Sequence, residues 1–444
     1  MANLFTLPRM EETLLCNGLR VILIPDHEQE GMAIAIQFPF GRFADPEGFE
    51  GCAELCVNLM QKGTCTKGFE ELSDSFEHNG ASLFADVGEE HTMMGVRLLS
   101  RCKDTLFPLL WEVVTQPRFD EKELGRIQQE MSTALRAEMF DPGTIAAHHF
   151  FHELAGNNHP AGRYHTIGSI KRITREKVIE FYGSNVLPAE CTLVVAGDFK
   201  TGWFETECRP IVEKWQPSCG AGRHSCEAPP VVHPDAAIRF VEKNDLTQVS
   251  LMLGEAAVGE LHEDRNRIAL ANYIFGAGNF SSRLMTRVRS SAGKTYGIVS
   301  HLLTQRRFGA LTISTSTQNR GLEEVLSAVL HEFELFCDKG VTGAELENAK
   351  RFAIGNMAFQ LEGITNLVEK VLWLTFYNRP AGYIETFDRM INGITLEAVN
   401  GAVRKCFDPA GMIIVAVGKK SEVLKQLGGF GAVRQYHYKE RLVS

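Results

Sequence analysis

Five groups of residues in this 444-residue chain carry side chains able to bind, polarise or transfer. Arg289 and Tyr296 stand seven positions apart: a guanidinium offers a fixed fork of donors to a carbonyl, and a phenol can donate to an oxyanion. Taken alone, both have ordinary structural accounts, since arginine suits the last turn of a helix and tyrosine opens a strand well. His148, His149, His152 and Glu153 place two imidazoles one helical turn apart, a spacing that metals use. No third ligand follows in the required order, so a partly exposed polar helix face is the better reading. Cys219, His224 and Cys226 match no zinc-ribbon or finger spacing and read as incidental thiols in a linker. Gly293-Lys294-Thr295 resembles the end of a phosphate-binding loop, but Val288 occupies the required glycine position and the order runs helix then strand, which excludes nucleotide binding. The fifth group is the apolar helix between Gly51 and Thr64, which carries the carboxylate of Glu54 and the amide of Asn58.

The elements that must position these groups come from a duplication. Ile173-Thr-Arg-Glu176 opens a helix that leads to Leu193-Val-Val-Ala-Gly197, and Ile394-Thr-Leu-Glu397 opens one that leads to Ile413-Ile-Val-Ala-Val-Gly418. Ile173 to Gly197 and Ile394 to Gly418 are both 24 residues, at an offset of 221. Each copy opens with apolar β-rich runs, Arg20 to Pro25 and Met32 to Phe38 in the first, Ala237 to Val241 and Gln248 to Leu253 in the second, followed by a charged turn and a helix. The fold class expected is α+β: two homologous domains, each a mainly antiparallel sheet packed against helices. Residues 1–215 form the first and 236–444 the second, joined by a Pro-, Gly- and Ser-rich linker over 216–235. Leu106, Leu109, Leu110, Val113 and Val114 recur at helical spacing and belong to the core.

Apolar residues at 44% and charged residues at 23% are ordinary for a globular protein. A net charge of −9 with no Lys/Arg cluster excludes a nucleic-acid partner. No signal segment and no membrane-spanning run is present, and eleven scattered cysteines without a C-x-x-C pair fit reduced thiols, so a cytoplasmic chain is expected.

Together the residues resemble the insulinase-like (M16) metallopeptidase family, in its shorter branch of two-domain chains. Gly41-Arg-x-x-Asp45-Pro-Glu-Gly48, Gly51-x-Ala-x-Leu and Lys62-Gly-Thr64 look like the entry to that family's metal helix. Gly80 to Ala85 followed by Glu90-His-Thr92 looks like its substrate-edge strand, and the edge of a strand through Phe84 and Ala85 suits an extended peptide, though the alternation assigns no pairing residues. His159-Pro-x-Gly-Arg163 and Val195-Ala-Gly197-Asp are similar to later landmarks, so the match runs over essentially the whole chain. The departure lies in the metal set. In the inverted motif His-x-x-Glu-His two imidazoles bind zinc and the glutamate activates water. Those positions fall on Glu54, Val57 and Asn58, and the third ligand falls near Leu135, flanked by Glu130 and Glu138.

The resemblance implies a role for the first pair: Arg289 and Tyr296 have the spacing of the arginine and tyrosine that the family's C-terminal domain presents to substrate. A chain that keeps this pair and lacks the metal set looks like the non-zinc-binding subunit of a heterodimeric metallopeptidase. It would carry no cofactor and no metal of its own. A zinc-bearing M16-type partner subunit would complete it, and Arg289 and Tyr296 would bind a peptide in the partner's active site. Two other readings compete. One is a non-enzymatic structural or docking subunit with the same fold. The other is a zinc peptidase with displaced ligands, for which Glu54, Glu130 and the 148–152 histidines are the only material.

Overall fold

The computed structural model describes residues 4–216, 228–231, 235–289 and 295–439; the side chains of Arg289 and Tyr296 lie outside the described set. Most of the expected 216–235 linker, with Cys219, His224 and Cys226, also lies outside it. Two compact units emerge, each built on a six-stranded sheet packed against helices. Neither unit is continuous in sequence. The first comprises Met1–Thr133, His165–Glu227 and Met357–Phe387, and the second Ala134–Tyr164, Ala228–Asn356 and Asp388–Ser444.

In the first unit, β1 (Glu11–Leu14), β2 (Arg20–Pro25), β3 (Gly31–Phe38), β4 (Ser82–Val87), β5 (Thr92–Leu99) and β6 (Thr192–Gly197) are ordered β1-β2-β6-β3-β5-β4. Only β2 and β6 run parallel; the other neighbours are antiparallel. Side chains alternate across a strand, so β3 turns Ile34, Ile36 and Phe38 to one face and Ala33 and Ala35 to the other. The alanine face is shallow enough to seat a helix. Leu367, Val368, Val371 and Leu372 of the helix Gly363–Phe376 pack there against Ile22, Ile24, Val194 and Ala196. Each such side chain, fully buried, contributes about 1.5–3 kcal/mol.

In the second unit, β7 (Ala237–Glu242), β8 (Gln248–Ala257), β9 (Thr295–Thr304), β10 (Gly309–Gln318), β11 (Ile413–Gly418) and β12 (Val433–His437) are ordered β12-β7-β11-β8-β10-β9. Apart from the edge strand β12, which runs parallel to β7 where β1 runs antiparallel to β2, this repeats the first sheet strand for strand. The duplication is visible down to the caps. Thr174 accepts the N–H of Lys177 and Thr395 that of Ala398, opening the two repeat helices Arg175–Asn185 and Leu396–Cys406. The helix seated on this sheet is Pro142–Ala155, opened by Asp141, whose carboxylate accepts from Gly143 and Thr144. Gly254 of β8 makes the approach possible, since a Cβ there would sit 2.9 Å from the Phe150 ring. Each sheet thus takes its covering helix from the other half of the chain. Among the described residues no helix is long and apolar enough to cross a membrane.

Candidate functional site

The helix Cys52–Met60 is built to fold. Gly51 adopts φ 98 at its N-cap, a left-handed conformation that favours glycine. The buried Asp45 carboxylate accepts the N–H groups of Gly51 and Ala53, both at 2.7 Å, satisfying donors that the first turn leaves open. Val57 is 1% exposed, in the apolar stripe with Leu55, Cys56, Leu59 and Met60. Glu54 and Asn58 are half-buried. Burial pushes the Cys52 and Cys56 thiols up, so both stay protonated and unreactive. Zinc does not fit this helix: the central position is a core valine with no donor atom. Among the described residues no group of three or more His, Cys, Asp or Glu side chains converges to hold a metal ion. Glu130 is exposed and paired with Arg126.

Residues 281–289, whose sequence reads as one helix, are not regularly wound. A 3-10 turn, Asn279–Ser281, is followed by a π-helix, Leu284–Arg289, so Arg289 ends a wide turn of a kind that concentrates at functional sites. A second π-helix, Tyr273–Ala277, lies against it, and Gly276 is required there because a Cβ would meet Leu284 at 2.7 Å and the Ser300 hydroxyl closer still. Arg283 is buried and meets Glu345 with both arms of its fork, Nε to Oε1 at 2.7 Å and Nη2 to Oε2 at 2.7 Å. Arg287 donates to both oxygens of the buried Glu332, at 3.1 and 2.9 Å. Tyr296 lies on β9, an edge strand, at an irregular position. Thr295 pairs with Thr317 and Ile298 with Thr315, so Tyr296 and Gly297 together face Ser316, a β-bulge. Bulges re-aim side chains and are common beside active sites. The Thr315 hydroxyl holds this one, donating to the Gly297 carbonyl at 2.9 Å and lying 2.8 Å from the Thr295 hydroxyl. Ser290 to Lys294, with most of the phosphate-loop look-alike, lies outside the described residues, and the order is helix then strand.

The 148–153 cluster is a packing network on a partly exposed helix face, with His149 alone of the four fully buried. His149 is 3% exposed, and burial together with the nearby Arg239 holds its imidazole down at about 3. His148 stacks on the Tyr164 ring at 4.2 Å, and His152 Nδ1 lies 3.3 Å from the Gly162 carbonyl. Glu153 pairs with the buried Arg239 of β7 and with Arg434 of β12.

β4 is one of the two edge strands of the first sheet and, among the described residues, pairs with β5 alone. A cleft of about 680 Å³ opens beside it, between the β4–β5 face and the helix Gly363–Phe376, lined by Phe84, Asp86, Arg97, Gln37, Glu369 and Trp373 among others.

Sequence comparison decides the family. Residues 20–160 match the model of the insulinase family, peptidase family M16, and residues 172–352 match that of the peptidase M16 inactive domain. The chain belongs to the insulinase-like M16 family. Its M16 relatives include an uncharacterized zinc protease, YmxG, of Bacillus subtilis, 25% identical over 407 residues that cover 88% of this chain and 94% of that one. They also include a protein of Helicobacter pylori described as the non-peptidase homolog YmxG, 22% identical over 364 residues, covering 80% and 81% of the two chains. The crystal structure of a peptidase M16 inactive domain from Pseudomonas fluorescens superposes with a TM-score of 0.84 at 25% identity, over 92% of this chain and 98% of that one. The chain's sequence relatives thus carry both protease and non-peptidase descriptions.

What the sequence missed is the support under Arg289. Arg283 and Glu345 are 62 positions apart and Arg287 and Glu332 are 45 apart. No spacing in one sequence links them.

Proposed function

We propose that this chain is the non-zinc-binding subunit of a heterodimeric M16-type zinc metallopeptidase acting in the cytoplasm. A zinc-bearing partner subunit contributes the metal and the attacking water. Arg289 and Tyr296 of this chain grip a peptide in the partner's active site and stabilise the oxyanion that develops at its carbonyl. The observation that carries the reading is the backbone at the two positions: Arg289 ends a π-helix and Tyr296 occupies a β-bulge. Two local irregularities, neither of them the cheapest way to fold, fall on the two residues whose chemistry suits the task. The position of β4 at the sheet edge and the cleft beside it suit an extended peptide. Arg289→Ala and Tyr296→Phe, assembled with the zinc-bearing chain, are expected to lower peptide hydrolysis by about a hundred- to a thousand-fold without dissociating the pair. Unchanged hydrolysis rejects the assignment.

A docking subunit without catalytic work is the second reading, favoured by the non-peptidase description of the Helicobacter pylori relative. On that reading the complex forms and no peptide is cleaved in any combination of the two chains.

A further inference from the structure

The π-turn that ends at Arg289 is held from below by carboxylates of two helices. Glu332 belongs to Leu322–Lys339 and Glu345 to Gly343–Phe359. Glu345 is itself fixed: Thr342 donates both its N–H and its hydroxyl to Oε2, each at 2.7 Å. Burial pushes the Glu345 carboxyl up, but the hydrogen bonds from Arg283 and Thr342 outweigh it and hold the group down at about 2, so it stays charged. A buried ion pair adds little net stability over an apolar pair of the same volume. What a fork-on-carboxylate pair adds is direction, because two parallel bonds fix the rotation of the guanidinium and of the backbone that carries it. Direction matters here. Relaxing a π-turn to the regular α-winding removes one residue from the turn and rotates the residues after it by about 100°.

We propose that Glu345, paired with Arg283, is a positioning residue that keeps the 284–289 turn in its π-winding and so holds the backbone that carries Arg289. This rests on the function proposed above. The side chain of Glu345 acts through Arg283 and is not asked to touch substrate. Glu332 supports the same turn through Arg287, one helix away, so loss of Glu345 loosens the turn without unfolding the unit.

The test uses the full-length chain assembled with its zinc-bearing partner and a quenched fluorescent peptide that the pair cleaves. Glu345→Ala is expected to lower kcat/KM by at least about a hundred-fold, since a misplacement of even 1 Å carries that cost. In the Arg289→Ala background the same change should add less than about two-fold, since residues acting as one unit are not additive. Arg283→Lys, which keeps the charge and loses the fork, should resemble Glu345→Ala. Hydrogen exchange on the full-length chain alone should show the 284–289 amides opening at least about ten-fold faster, with β7, β8 and β11 unchanged. Full additivity with Arg289→Ala, or unchanged exchange over 284–289, overturns the proposal. If Arg289→Ala itself leaves kcat/KM unchanged, the proposed function falls and the positioning role falls with it. The exchange measurement then still decides whether the pair holds the turn.

Discussion

Arg239 of β7 and Glu153 of the helix Pro142–Ala155 form an ion pair in which the two side chains are 7% and 12% exposed. The pair ties the second sheet to a helix that the first half of the chain supplies. Removing one partner leaves a buried charge unmatched, so Glu153→Ala should cost about 3–5 kcal/mol in chemical denaturation. Arg434, 65% exposed, also meets Glu153, and Arg434→Ala should cost less than about 1 kcal/mol. Equal effects would mean that Arg239 does not carry the contact.

Two buried groups shape stability against pH. Burial lifts the Glu255 carboxyl from 4.5 to about 8, with the Asp408 backbone N–H donating to it. Between those values the folded chain holds a proton that the unfolded chain releases, so stability falls as pH rises through the window. His149 is held down from 6.5 to about 3, so the unfolded chain takes a proton there that the folded one refuses, and stability falls as pH drops through that window. The two slopes oppose each other between 4.5 and 6.5. Melting temperature should therefore decline above about pH 6.5, and Glu255→Gln should flatten that decline. An alkaline limb identical in the variant would remove Glu255 from the account.

Restoring the metal motif should not restore a metal site. Val57→Glu places a carboxylate at a position 1% exposed among Leu55, Cys56, Leu59 and Met60. The desolvation penalty is several kcal/mol per ion. Glu54→His with Val57→Glu and Asn58→His should thus lower the melting temperature and bind no stoichiometric zinc. A stable variant that takes up one zinc per chain would show that the helix still keeps a metal cradle.

How much of this was legible in the sequence depends on the range of the interaction. The Ile-Thr-x-Glu openings at 173 and 394 and the apolar runs after them are local signals, and they foretold two equivalent sheets because strand pattern and N-cap chemistry act within a few residues. The valine and asparagine at 57 and 58 were equally readable, since a missing donor needs no structure to be noticed. The exchanged helices were not: Leu367 and Val371 show a helical stripe, but which sheet receives it is decided by the shallow face that Ala33 and Ala35 leave more than three hundred positions away. The π-winding at Leu284–Arg289 escaped for a related reason. Its apolar spacing also fits an α-helix, and Glu332 and Glu345, which support it, lie on other helices.

The central claim is that this M16 chain has given up the metal and depends on a second chain for it. Zinc content of the purified full-length protein, measured by inductively coupled plasma mass spectrometry after dialysis against zinc, tests this most directly. The account predicts far less than one zinc per chain, with no loss of folded structure on chelation. One tightly held zinc per chain, released only with unfolding, would contradict it.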